Sequence, residues 1–319
     1  MPEIVSIGEV LVEIMRPEVG VPLDQPGEFK GPFPSGAPAN YINAVAKLGG
    51  DAGFIGVLGP DEFGDLVERR LRENGVDVSQ LIRRPGYTTG CAFVAYQVDG
   101  SRRFLFHMRH AAAGTLSPED VSHEFLRDTK LLHITGSALA ASDSCRKACQ
   151  KAIGIVKDCG GKISFDPNVR PELLGIEKTR EICSSVMQAS DLILPSGEEA
   201  CMLTGLDDLE EACQKLLESC SVLALKLGTD GSRIYSQLVR LDVPPLPIEN
   251  ILPEVDPTGA GDAFGAAFCV AFIEGKPLKE CAELGNAAGA LCITGLGPME
   301  APLTLERFAQ LREQLNTLG

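Results

Sequence analysis

Short apolar runs at Ile4 to Ile7, Ala52 to Leu58, Leu131 to Thr135, Lys162 to Asp166, Leu192 to Pro195 and Val222 to Leu227 read as strands buried on both faces. Between them, Cys145 to Lys157, Lys178 to Ala189 and Leu209 to Ser219 carry apolar residues at helical spacing. This alternation predicts βα crossovers and an α/β fold, a largely parallel sheet with helices on both faces. Ligands then collect beyond the carboxyl ends of the strands.

Two segments break the rhythm. Glu9 to Pro34 is rich in Gly and Pro and shows no clear helix, while Thr89 to Arg109 reads as two strands, Cys91 to Val98 and Arg102 to Met108, joined by a turn at Asp99-Gly100. They are either ordinary surface hairpins or a small β element inserted in the α/β core.

With 319 residues the chain can hold one large α/β domain or two smaller ones, and 44% apolar residues suffice for a sizeable core. A formal charge of −15 argues against nucleic acid or an anionic membrane as partner, since either needs a basic face. No apolar run approaches the roughly 20 residues of a membrane span, and Met1-Pro-Glu-Ile4 leads straight into a strand pattern, so a cytosolic location is expected. The eleven Cys form no C-x-x-C pair and fall mostly inside helical patterns; they read as reduced core or helix residues.

The most chemically pointed stretch is Asp256-Pro-Thr-Gly-Ala-Gly-Asp262. It follows an extended run, Glu249 to Val255, and precedes a helical pattern from Ala263 to Ile273. Gly259, Ala260 and Gly261 permit close backbone approach, and the first N–H groups of the helix face whatever sits there, usually a phosphate. Asp262 lies in the first turn beside that place. The dipole favours its ionised form, which predicts a weak base. On the loop alone, a helix start capped by an acid is the competing reading.

The whole string, D-P-T-G-A-G-D-A-F, resembles the C-terminal signature of the ribokinase-like (phosphofructokinase-B) sugar kinases. Ser35-Gly-Ala-Pro-Ala-Asn40 with Leu48-Gly-Gly50 resembles the family's N-terminal signature, and Phe54 to Gly64 its following block. Phe165-Asp-Pro-Asn-Val-Arg170 is similar to a segment of fructokinases and 2-keto-3-deoxygluconate kinases, and Leu225 to Gly231 to the L-K-x-G-x-x-G segment at the nucleotide site. These features run from about residue 4 to residue 297.

The resemblance implies a three-layer ribokinase-like fold, a single kinase domain over residues 1–319. About 9–34 and 89–110 would form a β-strand lid over the sugar, which in many relatives also joins a homodimer. It implies an ATP-dependent kinase with Mg²⁺, and potassium is often used near such a loop. In the family Asp262 would be the catalytic base, and Gly259, Ala260 and Gly261 the anion hole. Gly36, Asn40, Arg109, Asp166, Asn168 and Arg170 would bind or frame the sugar. Ser196, Lys226, Gly228, Gly231 and Asn286 would lie along the nucleotide. Glu199 would order the water shell of the metal, with Ser196 standing where relatives carry Asn.

The sugar stays open at this level. The blocks at Gly36 to Asn40 and Asp166 to Arg170 resemble fructokinases, yet Ala112-Ala-Gly114 stands where those tend to carry an acid. A lost acid makes room for a sugar acid such as 2-keto-3-deoxygluconate, whose charge Arg170 and Arg109 could pair. Those kinases usually supply lid Tyr residues at positions that here read Ala92 and Phe106. Another ketohexose kinase remains an alternative. From other classes, a Rossmann dehydrogenase fails because the first strand is followed by one glycine only, and a non-catalytic sugar sensor would be expected to lose Asp262.

Overall fold

In a computed structural model, residues 1–248, 252–308 and 310–311 are described. The chain runs β1 (Ile4–Ile7), β2 (Leu11–Arg16), β3 (Lys30–Ser35), α1 (Ala37–Lys47), β4 (Ala52–Leu58), α2 (Glu62–Glu73), β5 (Asp77–Arg83), β6 (Gly90–Tyr96) and β7 (Arg102–His107). It continues through α3 (His123–Leu126), β8 (Leu131–Thr135), α4 (Gly136–Ala141), α5 (Asp143–Asp158), β9 (Lys162–Asp166), α6 (Ile176–Ala189), β10 (Leu192–Ile193), α7 (Gly197–Thr204) and α8 (Leu209–Leu217). The last elements are β11 (Val222–Lys226), β12 (Ser232–Ser236), β13 (Arg240–Val243), α9 (Ala260–Ile273) and α10 (Leu278–Cys292).

Nine strands form one sheet in the order β13-β12-β11-β10-β9-β8-β1-β4-β5. All neighbours pair parallel except at one edge, where β11, β12 and β13 run antiparallel. Every residue of β1, β4 and β8 is buried, as a strand covered on both faces requires. On one face α1, α2, α9 and α10 pack around Tyr41, Phe54 and Phe268. On the other, α4 to α8 pack around Ile134, Phe165 and Cys149. The helix α9 is apolar nearly all round and sits in the core accordingly.

The two rhythm-breaking segments meet in a second sheet, ordered β3-β2-β6-β7. Its β2 and β6 pair parallel, from Leu11↔Gly90 to Arg16↔Ala95, so segments far apart in sequence make one body. From β1 the chain builds β4 and β5 on one side and later β8 to β11 on the other, which places a switch point beside β1. The extended run expected over Glu249 to Val255 is not a strand over Leu252 to Val255, and Glu249 to Ile251 lie outside the described residues. All eleven cysteines are free, seven of them buried.

Candidate active site

Gly36 heads α1 with a φ of +114°, and an added Cβ would lie 2.6 Å from the Glu9 carbonyl oxygen, so only glycine lets α1 start this close to the end of β1. One turn on, Asn40 Nδ2 donates to Asp262 Oδ2 at 3.0 Å across 222 residues of sequence. Asp262 lies in the first turn of α9, whose cap Gly259 has a φ of +86° with Pro298 packed against it. Both residues line a cavity of about 550 Å³ between the ends of the large sheet and the inner face of the small one.

Burial, then the charge of Asp166, push the Asp262 carboxyl up to about 7, against the pull of Asn40, Lys226 and Arg170. This corrects the expectation of a weak base. Removing a carboxylate from water outweighs the helix dipole, which is worth under about 1 kcal/mol at exposed sites and up to about 2 when partly buried.

Asp166, at the end of β9, and Lys226, at the end of β11, meet at 2.6 Å. Burial opposes charge on both, and the contact decides for a charged pair: Asp166 and Glu199 hold the ammonium protonated. Asn168, in the left-handed region at φ +38°, donates its N–H to Asp166 Oδ1, which turns the loop that carries Arg170. Lys226 also flanks the glycine loop, since a Cβ added to Gly261 would come within 3.4 Å of its Nζ.

Two acids that the motif reading missed form the rest of the wall. Glu9 Oε1 accepts from Ser137 at 2.6 Å and Glu13 Oε1 from Ser35 at 2.8 Å, while the second oxygen of each has no partner. Burial pushes both carboxyls up to about 7. The available signal was Glu13 inside the apolar stretch Val10 to Met15, since an acid flanked by buried residues needs a reason to be there. From β7, Arg102 and Phe104 join the wall, and the Arg102 and Arg170 guanidiniums lie 5.7 and 5.5 Å from the Phe104 ring.

The other expected residues divide between this cavity wall, where Ser196, Glu199 and Gly228 lie, and its surroundings. Arg109 is exposed and donates to the Leu173 carbonyl at 3.3 Å, outside the cavity wall. It lies beyond the end of β7, where the alternation no longer points inward, and Arg102 takes the inward place. Ser196 and Glu199 form a capping box at the start of α7, Glu199 accepting from the N–H groups of Ser196 and Val169, both at 2.8 Å. The serine hydroxyl accepts from the Glu199 N–H. Gly228 lines the same cavity. Gly231 packs against Val243 and Pro244, the residues whose carbonyls receive the Asn286 amide at 3.2 and 2.8 Å. Asn286 borders a second cavity, about 620 Å³, with Pro245, Leu246, Leu284 and Phe308.

A buried carboxylate at a helix start, a glycine loop and a lysine beside it are the parts that phosphoryl transfer to a hydroxyl calls for. The model of the pfkB family of carbohydrate kinases matches residues 1–304. Fructokinase-1 of Oryza sativa subsp. japonica is 34% identical over 320 residues, 97% of each chain. A chain of Escherichia coli solved with ATP and Mg²⁺, provisionally named ribokinase II, superposes with a TM-score of 0.90 at 39% identity, covering 98% of this chain and 100% of its own. Fructokinase from Vibrio cholerae O395, solved with fructose, ADP and calcium, superposes with a TM-score of 0.84 at 25% identity, covering 97% and 98%. The chain belongs to the pfkB family of carbohydrate kinases. It is an ATP-dependent sugar kinase.

Proposed function

We propose that the acceptor is a ketohexose, fructose in particular, and that Asp262 takes the proton of the hydroxyl being phosphorylated. The observation that carries the acceptor is the surplus of lone pairs on the sugar wall: Glu9 Oε2, Glu13 Oε2, Asn40 Oδ1 and Asn168 Oδ1 are buried without partners. A polyol brings the O–H donors these acceptors lack. A sugar acid would add a carboxylate among Glu9, Glu13 and Asp262, while Arg102 and Arg170 already offset the charge of Glu13. The names of the relatives point the same way.

In this scheme Asn40 and Asp262 orient the hydroxyl, and the value near 7 makes Asp262 an acceptor matched to neutral pH. The N–H groups at Gly259 to Gly261 and Lys226 receive the charge of the transferring group. ATP would run from this loop past Gly228 toward the cavity bordered by Asn286. Bound Mg²⁺ would neutralise the phosphate chain; each Glu199 oxygen gives one lone pair to a backbone N–H and keeps one for a water of its shell.

We assign the outer face of the small sheet, where Leu105 and Phe29 are 49% and 40% exposed, to a homodimer contact. Eleven free thiols fit a reducing cytosol, and among the described residues no helix is long and apolar enough to cross a membrane. Light scattering of Leu105→Asp tests the contact, a monomer being expected. ADP release with fructose, 2-keto-3-deoxygluconate and ribose tests the acceptor. Fructose should lead in kcat/KM by at least about 10-fold, one lost hydrogen bond to a charged group; preference for the sugar acid overturns the reading.

A further inference from the structure

Gly259, Ala260 and Gly261 have no side chains that could hold their own backbone in place, so the loop takes its shape from what surrounds it. Its anchor is Asp256, fully buried three residues upstream. Asp256 Oδ1 accepts from the Thr258 N–H at 3.0 Å and Oδ2 from the Gly297 N–H at 2.9 Å, which joins the loop to the turn after α10. A third donor comes from the small sheet: the Tyr96 hydroxyl, at the end of β6, reaches Asp256 Oδ1 at 2.9 Å. Beside it Arg102 Nη1 donates to Thr258 Oγ1 at 3.0 Å. Tyr96 itself does not line the cavity.

We propose that Tyr96 is a positioning residue for phosphoryl transfer, acting through Asp256 on the backbone of the glycine loop. The sheet that walls the sugar and the loop that receives the phosphoryl group are thereby one hydrogen-bonded unit. The N–H groups are aligned only when the sheet is seated. Displacing such groups by about 1 Å costs on the order of 100-fold in rate, so one bond to the anchor is a strong lever.

The proposal rests on the reading of Asp262 and the glycine loop as the catalytic apparatus, and the two can fail separately. Turnover surviving in Asp262→Asn removes that reading. An unchanged Tyr96→Phe beside a dead Asp262→Asn removes only this one. Tyr96→Phe keeps the ring and loses the donor. Expected are a kcat lower by about 10-fold, the effect of one hydrogen bond to a charged group, KM values for sugar and ATP within about twofold, and a Tm lowered by no more than a few degrees. Loss confined to the sugar KM would make Tyr96 a clamp for the sheet and overturn the proposal. The pair with Asp256→Asn guards against a general loss of fold: Tyr96→Phe should cost little once Asp256 is changed, and independent, multiplying losses would overturn it.

Discussion

Replacing Asn40 with Leu removes the amide that donates to Asp262 Oδ2 at 3.0 Å and leaves a side chain of similar branching in the helix. The amide favours the ionised form of Asp262, so its loss must raise the proton affinity of that carboxyl above the value of about 7. A hydrogen bond to a charged group is worth about 1.5–3 kcal/mol, and 1.36 kcal/mol corresponds to one pH unit, so the rise should be about 1–2 units. The assay is ADP release against pH at several sugar concentrations. The wild-type kcat/KM should fall below about pH 7, where Asp262 takes up a proton, and the limb in Asn40→Leu should lie about 1–2 units higher. Asn40 also lines the cavity, and a lost contact to the sugar would lower the plateau without moving the limb. Glu9 and Glu13 titrate in the same range, but Asn40 bonds to neither, so a displaced limb belongs to Asp262. A limb that stays in place, or moves down, refutes the assignment.

Asp262→Asn should lower kcat by about 10²- to 10⁴-fold while ATP binding, followed by calorimetry, stays near normal. Gly259→Ala should lose about 1–2 kcal/mol in denaturant melts because its φ is +86°, whereas Gly261→Ala, whose Cβ makes only ordinary contact with Lys226, should keep the fold and lose turnover because the methyl obstructs approach of the transferring group to the loop. Lys226→Met strands the buried Asp166 charge and should destabilise by about 3–5 kcal/mol, with much of the loss recovered in the double variant Lys226→Met/Asp166→Asn. Glu9 and Glu13 hold protons more tightly folded than unfolded, so their contribution to stability falls as pH rises from about 4.5 to about 7. Glu9→Gln or Glu13→Gln should therefore match the wild type near pH 4.5 in urea melts and exceed it at pH 8 by up to about 3 kcal/mol each.

The strands that cross the middle of the large sheet were legible because a strand buried on both faces must be apolar throughout: Ile4–Ile7, Ala52–Leu58, Leu131–Thr135 and Lys162–Asp166 stand where the runs put them. The edge strands β5 and β13, and β12 next to the latter, were not, since strands at the margin of a sheet carry charged and polar residues that blur the alternation. At the site, Asn40 and Asp262 were visible as motif residues, but their contact spans 222 positions and no local pattern records it. Where an acid was expected near Ala112, the cavity wall carries Glu9 and Glu13. Both lie in the stretch between β1 and β3 where Gly and Pro hid the strand pattern.

The division of labour along the chain has an evolutionary consequence. By the proposed assignment the wall facing the acceptor comes from residues up to Pro171, while the loop, its base and the nucleotide side come from Ser196 onward. Between the two stretches runs the partly exposed segment Glu172 to Gly175. A crossover there between two relatives would exchange acceptor choice while leaving the phosphoryl donor machinery intact. It needs the bonds across the seam at the site to be conserved together: Asn40 with Asp262, Tyr96 with Asp256, Arg102 with Thr258, Asp166 with Lys226, and the Val169 N–H with Glu199, besides those of Lys47 and Arg70 to the segment Met299 to Ala301. These contacts define which parents can recombine, and new sugar specificities can be drawn from any lineage that shares them.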